Sequence, residues 1–165
     1  MSTFEKMLES GKAGETVIAD WLKARGWSVL PVYEKIIDEG KGPQIFSADG
    51  ELVAPDLLAF NAHKFLWVEA KHKTGFSWHR MSNRWVTGID KRHFNDYLKV
   101  KKKSNIPLWL MFLHDGGTAK DSPESPAGLF TGEISDLNKN INHCSDRWGS
   151  SGMVYWAIET LRKIY

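Results

Sequence analysis

The spacing of hydrophobic positions along the chain predicts a helix first. Residues 3–25 place their apolar side chains on one helical stripe, formed by Phe4, Leu8, Ile18 and Leu22. Ser2 and Glu5 have the spacing of a capping box, and Gly26 stands where a C-terminal glycine ends a helix. We therefore expect an N-terminal helix that packs one face on the core.

Strands follow this helix. Residues 27–33 predict a strand, in which Pro31 indicates a sheet edge or a bulge. The glycine-rich residues 35–50 predict a loop. Two apolar runs come next, at 52–60 and 64–71, and the short polar segment between them is typical of a hairpin.

The second half is less regular. Residues 74–88 are polar, aromatic and basic without a clean period, so we interpret them as an excursion from the fold. A helix is expected over 89–103 with Asp90 at its start, and a buried strand over 107–114. Three further segments are expected: a strand at 127–134, helical or irregular chain at 136–150, and a strand that runs into a short helix at 153–161.

This order of elements predicts an α/β fold, a mixed β-sheet with antiparallel pairing in its middle and helices on its faces. The length of 165 residues fits one domain. We expect a single domain over 1–165, with its core at about 3–114 and residues 115–165 as a C-terminal extension of that domain.

Composition narrows the class of protein. At 42% hydrophobic and 25% charged residues, the chain has the make-up of a globular protein with a core of its own. Its single cysteine, Cys144, excludes an intramolecular disulfide and argues against a cysteine-based zinc site. No apolar run has the length of a membrane span or the form of a signal peptide. We expect a cytoplasmic protein in a reducing compartment.

The net charge of +2 conceals an asymmetry. Residues 62–103 contain eleven Lys or Arg against three Asp or Glu, so their net charge is +8 and that of the remainder is −6. The middle of the chain is therefore able to present a basic surface to a polyanion.

Three charged residues stand inside the apolar runs of the predicted hairpin. If Phe60 pairs with Phe65, Asp56 lies opposite Glu69, with Cβ atoms about 4.5–5.5 Å apart. Glu69 and Lys71 share a face because they are two residues apart on a strand. Carboxylates that close repel each other unless a cation lies between them, and a hard divalent ion such as Mg²⁺ is the natural candidate.

Glu15 is a fourth residue of this kind, because it falls within the apolar stripe of the first helix. A carboxylate that faces the core needs a partner, and Glu15 joins the cluster if this helix packs over the hairpin. The structural alternatives are a turn cap at Asp56, an exposed edge-strand face at Glu69 and Lys71, and a surface ion pair at Glu15.

Carboxylates, a lysine and a hard cation fit the hydrolysis of phosphodiesters. The metal polarises the phosphate and lowers the pKa of a bound water. A neutral lysine would need a strongly lowered pKa, so we favour a lysine that orients the water and stabilises charge on the phosphorane oxygens.

Pro55-Asp56, followed by Glu69-Ala70-Lys71 on the partner strand, resembles the signature of the PD-(D/E)XK nuclease superfamily. Gly14-Glu15 is similar to the acidic element that members of this superfamily often carry on the first helix. The resemblance covers roughly residues 10–114. The superfamily includes restriction endonucleases, archaeal-type Holliday junction resolvases, phage exonucleases and repair nucleases. The resemblance singles out none of these branches.

The resemblance implies a restriction-endonuclease-like fold with an αβββαβ core. It further implies that Asp56, Glu69 and the backbone carbonyl of Ala70 bind Mg²⁺ or Mn²⁺ and that Lys71 acts on the water. Glu15 would be an auxiliary or second-metal ligand. Small resolvase-like nucleases act as dimers, which makes a homodimer the expected state.

Basic and aromatic residues near this cluster are candidates for contacts with nucleic acid. They are Lys73, Trp78, Arg80, Arg84, Lys91, Lys101, Lys102 and Lys103. The alternatives are a dimerisation arm over 74–88 and a solvated helix end at the three consecutive lysines. His93 and Asn95, on the second helix, are further candidates for contact with phosphate or Lys71. No phosphate-binding G-x-x-x-x-G-K-[ST] loop is present, so no nucleotide cofactor is expected.

The functional hypothesis is a metal-dependent DNA endonuclease that cuts duplex or branched DNA, as resolvases, repair nucleases and restriction enzymes do. The alternative is a catalytically silent module of the same fold that binds nucleic acid or serves assembly. RNA as the substrate is a third and weaker option.

Overall fold

The computed structural model describes residues 3–32, 43–117 and 122–165, and the side chains of those residues from Gly11 onward. The helices in these ranges are α1 (Thr3–Lys23), α2 (Lys91–Ser104) and α3 (Ile134–Lys139). The strands are β1 (Ser28–Pro31), β2 (Gln44–Ser47), β3 (Gly50–Val53), β4 (Leu57–Phe60), β5 (Phe65–Lys73), β6 (Ser77–His79), β7 (Arg84–Asp90), β8 (Leu108–His114), β9 (Gly128–Glu133), β10 (His143–Ser145), β11 (Met153–Ala157) and β12 (Arg162–Lys163). A short 3₁₀ helix spans Ile158–Thr160.

A six-stranded mixed sheet has the order β1-β4-β5-β8-β9-β12. β5 and β8 are parallel, with β6, β7 and α2 in the long connection between them, and the other neighbours are antiparallel. Read along the chain, α1-β1-β4-β5-α2-β8 is the predicted order of helix, three strands, helix and strand. The predicted α/β fold with a mixed sheet is confirmed.

A second, antiparallel sheet has the order β10-β11-β7-β6, and β2 and β3 form a separate hairpin. The prediction of a plain excursion over 74–88 was therefore wrong, since β6 and most of β7 lie there. So was the prediction of an unbroken loop up to residue 50, because 44–47 pairs with 50–53. Strands from residues 115–165 belong to both larger sheets.

The six-stranded sheet has a core on each face. Ile18 and Leu22 of α1 pack on one face against Val68 and Met111. The other face packs against α2 and the second sheet. The cluster there includes Tyr97 of α2, Leu110 and Phe112 of β8, and Trp156 of β11. Since β8 is buried on both faces, its side chains alternate between the two cores, which explains its unbroken apolar sequence.

The ends of the helices follow the predicted chemistry. Gly26 adopts φ +81° just after α1, the left-handed conformation of a C-terminal glycine. Asp90 caps α2, accepting a hydrogen bond from the N–H of Arg92 at 3.0 Å. The predicted capping box at Ser2 lies outside the described residues. No helix in the described part of the chain is both long and apolar enough to cross a membrane.

α1 approaches β5 closely at Gly14, where a Cβ atom would lie 2.6 Å from the Cβ of His72. We expect Gly14→Ala to lower the free energy of unfolding by about 1–3 kcal/mol, because the helix has to move away from the strand. Gly11→Ala is the matched control, since nothing lies within 4 Å of its added methyl group. It should stabilise the protein by about 0.5–1 kcal/mol through helix propensity. Urea unfolding measures both changes, and equal effects would contradict the close approach.

Candidate active site

The open end of the β4–β5 hairpin brings two carboxylates together. Phe60 pairs with Phe65, as predicted, and continuing this register places Asp56, one residue before β4, opposite Glu69. The Oδ2 atom of Asp56 accepts a hydrogen bond of 2.8 Å from the N–H of Ala70. This bond holds Asp56 against β5.

Glu69 lies at the centre of the site and is 1% exposed. Its Oε1 atom forms an ion pair with the Nζ atom of Lys71 on the same face of β5. Tyr97, from α2, lies near the same carboxylate, and burial together with the charge of Glu69 raises the pKa of its hydroxyl. The side chain of Lys71 is 30% exposed, so it connects buried Glu69 with solvent.

The charges of the cluster act strongly on one another. Burial and the negative charge of Glu69 raise the pKa of Asp56 to about 7, although Lys71 acts in the opposite direction. Burial by itself would lower the pKa of Lys71, but Glu69 and Asp56 outweigh it and raise that pKa above its usual value. Lys71 is therefore a fixed positive charge at neutral pH.

Glu15 reaches the same cluster from α1. It is half-buried, and both burial and the charge of Asp56 raise its pKa, while Lys71 and Lys12 lower it. The close approach of Gly14 to β5 explains how the neighbouring carboxylate comes so near. The structure thus brings together the four residues that the sequence singled out, and their catalytic and metal-binding roles stay predictions.

The first half of α2 covers the site from the other side of the cluster. Burial and the positive charge of Lys71 lower the pKa of half-buried His93. The ring of Tyr97 lies 6.1 Å from that of His93, one helical turn further on. Asn95, the other candidate on this helix, is exposed. Sequence reasoning did not single out Tyr97, and the available signal was its position four residues after His93 on one helix face.

The predicted nucleic-acid contacts fall into two groups. Lys73 shares the face of Lys71, and burial together with that neighbour lowers its pKa. Lys91 is the first residue of α2, two residues before His93, and pairs with Asp146 at 3.7 Å. Arg80 and Arg84 are exposed at the β6–β7 turn, whereas half-buried Trp78 packs edge-on against Trp85, with ring centroids 5.0 Å apart.

The second group is the lysine run at the C-terminal end of α2. Lys101 pairs with Glu133 at 2.7 Å, Lys103 pairs with Asp49, and Lys102 is exposed. At 1.5 Å per residue, this run begins about 12 Å along the helix from His93. The run therefore lies at the end of α2 that is remote from the carboxylates, and two of its three charges are paired.

The donor atoms at the cluster fit a hard divalent cation. Asp56 and Glu69 face each other, and burial together with the charge of Glu69 raises the pKa of Asp56, so a cation at this position would favour its ionised form. Carboxylates, a backbone carbonyl such as that of Ala70 and water are the ligands that Mg²⁺ and Mn²⁺ prefer. No group of three or more His, Cys, Asp or Glu among the described residues is arranged to hold a metal ion by itself. The donor set that fits is therefore two carboxylates, a backbone oxygen and water.

Tyr97→Phe tests whether this hydroxyl supports Glu69. We expect the variant to lose about 1–3 kcal/mol of unfolding free energy at pH 8, because the buried carboxylate loses the polar group beside it. Tyr155→Phe is the control, since that half-buried ring stacks on His143 at 4.6 Å and should tolerate the change within about 0.5 kcal/mol. Urea unfolding provides the comparison. Equal stability of the two variants would show that the hydroxyl of Tyr97 does not support Glu69.

Comparison with known proteins identifies the fold. No family model matches the sequence, and no curated protein does so. Among solved structures, the chain is similar to Hjc, a Holliday junction resolvase from the archaeal hyperthermophile Archaeoglobus fulgidus. The TM-score is 0.55 and the sequence identity 9%, over 91% of this chain and 90% of that one. The α/β architecture described above is therefore the fold of a Holliday junction resolvase.

Proposed function

We propose that this chain is a metal-dependent DNA endonuclease that hydrolyses phosphodiester bonds in duplex or branched DNA. The observation that carries the proposal is the buried cluster of Asp56, Glu69 and Lys71 at the open end of the β4–β5 hairpin. The fold shared with a Holliday junction resolvase supports it, as does the resemblance of these three residues to the PD-(D/E)XK signature.

Asp56, Glu69 and the backbone carbonyl of Ala70 would hold Mg²⁺ or Mn²⁺, and Glu15 would be an auxiliary ligand. Such an ion, when bound, polarises the phosphate and lowers the pKa of a coordinated water. The chain supplies the positions of these oxygens. The Ala70 N–H fixes Asp56, and the ion pair with Lys71 fixes Glu69.

Lys71 acts as a cation and not as a base in this proposal. Its raised pKa keeps the ammonium protonated, so its N–H groups orient the attacking water and stabilise negative charge on the phosphorane oxygens. Proton removal from the water falls to another acceptor. His93 is half-buried and close enough to Lys71 for that charge to lower its pKa, so it remains neutral near pH 7 and able to accept a hydrogen bond.

The DNA would approach over the basic residues around this cluster. Lys73, two residues after Lys71, and Lys91, two residues before His93, would contact phosphates beside the scissile bond, and Arg80 and Arg84 would do so from the β6–β7 turn. Trp78 would contribute from the same hairpin. Lys101, Lys102 and Lys103 are the more remote contacts, because they lie at the far end of α2.

Two further features belong to the proposal. Cutting both strands of a junction needs two active sites, so we propose that the protein acts as a homodimer. The lone Cys144 is a free and exposed thiol, which suits the reducing cytoplasm in which the protein would bind DNA. Residues 1–165 would then act as one nuclease domain.

The experiment is a cleavage assay with supercoiled plasmid, linear duplex, flap and four-way junction DNA, in Mg²⁺, Mn²⁺ or EDTA. Lys71→Ala is compared with Lys64→Ala, which changes an exposed lysine at the turn of the same hairpin. Cleavage that needs metal, is lost in Lys71→Ala and is kept in Lys64→Ala would establish the nuclease. DNA binding without cleavage of any substrate would favour the silent module instead.

A further inference from the structure

The loop over 146–152, which connects β10 to β11, carries an exposed tryptophan. All eight tryptophans lie within the described residues. Trp148 is 68% exposed, and the other seven are buried or half-buried. The preceding residue, Arg147, is also exposed. A ring exposed to solvent is free to stack on another molecule, and a neighbouring cation favours an anionic one.

This loop is held firmly to the rest of the protein. The Oδ2 atom of Asp90 accepts hydrogen bonds from the N–H of Ser150 at 3.1 Å, from its hydroxyl at 2.8 Å and from the N–H of Ser151 at 3.3 Å. The carbonyl of Gly152 accepts a further bond of 2.8 Å from the N–H of Lys91. Trp148 is therefore displayed by an anchored loop, with little ordering left to be done on binding.

The anchor is also the start of α2, which carries the side chains over the candidate active site. Asp90 caps this helix, and His93, one turn further on, is close enough to Lys71 for that charge to lower its pKa. One helical turn is about 5.4 Å long. The loop that carries Trp148 thus adjoins the end of α2 that is nearer to the cluster.

The chemistry around the ring fits a nucleobase with its phosphates. Arg147, Lys91 and Arg92 surround the loop with positive charge, offset in part by Asp146, which lies 3.7 Å from the Nζ atom of Lys91. Aromatic rings next to basic side chains stack on bases while the cations contact the backbone. Within a duplex both faces of a base are already covered, so a ring that stacks selects a base that is unpaired or unstacked.

We propose that Trp148 stacks on an unpaired base next to the scissile phosphate and thereby gives the protein its preference for branched or distorted DNA. Asp90 is a positioning residue, because it acts through the loop that it holds. The inference rests on the proposed nuclease function for the identity of the partner. It adds a structure-selecting contact from the C-terminal fifty residues, to which the sequence assigned no role.

The test is DNA binding in EDTA, so that cleavage does not enter the measurement. The probes are a 25-base-pair duplex and the same duplex with one extra unpaired 2-aminopurine, whose fluorescence is quenched when it stacks. The wild-type protein should bind the bulged probe more tightly and quench it. Trp148→Ala should lose about tenfold of that preference, together with the quenching, and Trp148→Phe should retain most of both.

Two controls separate stacking from general effects. Phe46→Ala removes a ring of similar exposure, 66%, from β2 and should leave the preference unchanged. Ser150→Ala removes a hydrogen bond to Asp90 and should reduce the preference while keeping the ring. Because each altered side chain is exposed, the variants are expected to fold.

An unchanged preference in Trp148→Ala, or no preference in the wild type, overturns the inference. The inference is also overturned if Trp148→Ala keeps the base preference but no longer forms a dimer in analytical ultracentrifugation, since the ring would then contact a second copy. Failure of the nuclease proposal looks different. Base preference that depends on Trp148, with no cleavage in Mg²⁺ or Mn²⁺, would keep this contact and remove the enzymatic activity.

Discussion

Lys71→Ala is expected to lower the rate of metal-dependent DNA cleavage by about 10²–10³-fold or more, with DNA affinity changed only a few-fold. Lys71 is a fixed charge held by Glu69 and Asp56 next to the proposed water. A preorganised cation aimed at developing charge contributes this much when it is removed from a site of low dielectric constant. Single-turnover cleavage at saturating protein measures the chemical step apart from binding.

Two comparisons give this prediction its specificity. Lys64→Ala, at the turn of the same hairpin, should cleave at the wild-type rate because its charge lies at the opposite end of β5. Lys71→Arg keeps the charge but replaces a compact ammonium with a planar fork, so it should recover only part of the rate. A rate for Lys71→Ala within fivefold of wild type would show that Lys71 serves only to neutralise Glu69.

The core of this site was predictable because it breaks a local pattern. Asp56 and Glu69 interrupt apolar runs, and a tight hairpin fixes its register from a few residues. Once Phe60 was paired with Phe65, the opposition of the two carboxylates followed from counting. The observed register agrees with that count.

The second sheet was not predictable in this way. Residues 86–89 are all buried, since β7 lies between β6 and β11 and is covered by the core. An alternating pattern is lost when both faces of a strand are buried. In addition, β7 pairs with β11, about 65 residues later, and local sequence carries no signal of so distant a partner.

The supporting residues escaped prediction for a related reason. Tyr97 and Asp90 both lie on or next to a helix that was expected, yet their importance comes from partners in other elements. Tyr97 of α2 lies near Glu69 of β5, and Asp90 accepts hydrogen bonds from Ser150, some 60 residues further along. Sequence periodicity indicates which face of a helix is buried, but it does not identify the polar group on another element that this face contacts.

The two opposed carboxylates, Asp56 and Glu69, lower the stability of the metal-free protein. The folded state buries Asp56 opposite Glu69, and its pKa of about 7 lies well above the 3.8 of an ordinary aspartate. Between these values the folded protein retains a proton that the unfolded chain releases. In this pH range the contribution of Asp56 to the free energy of unfolding therefore falls as the pH rises, by up to about 4 kcal/mol.

Asp56→Asn should accordingly stabilise the metal-free protein at pH 8 by about 2–4 kcal/mol while abolishing cleavage. Asparagine keeps an oxygen that can accept the hydrogen bond from Ala70 but removes the charge that Glu69 repels. Near pH 4 the advantage should disappear, because wild-type Asp56 is then protonated in the folded state. Urea unfolding in EDTA between pH 4 and pH 8 measures the difference between the two proteins, in which the effects of titrating groups remote from Asp56 cancel.

Asp20→Asn is the matched control for this prediction. Exposed Asp20 pairs with Lys23 on the surface of α1, so the variant should change the free energy of unfolding by less than about 1 kcal/mol at either pH. A metal ion bound between the carboxylates acts against this difference, because binding to the folded state alone adds stability to the wild type and little to Asp56→Asn. Millimolar Mg²⁺ should therefore narrow the gap at pH 8. If Asp56→Asn instead lowers stability at pH 8, Asp56 is a structural residue held by its hydrogen bond to β5, and the cluster is not built for a metal ion.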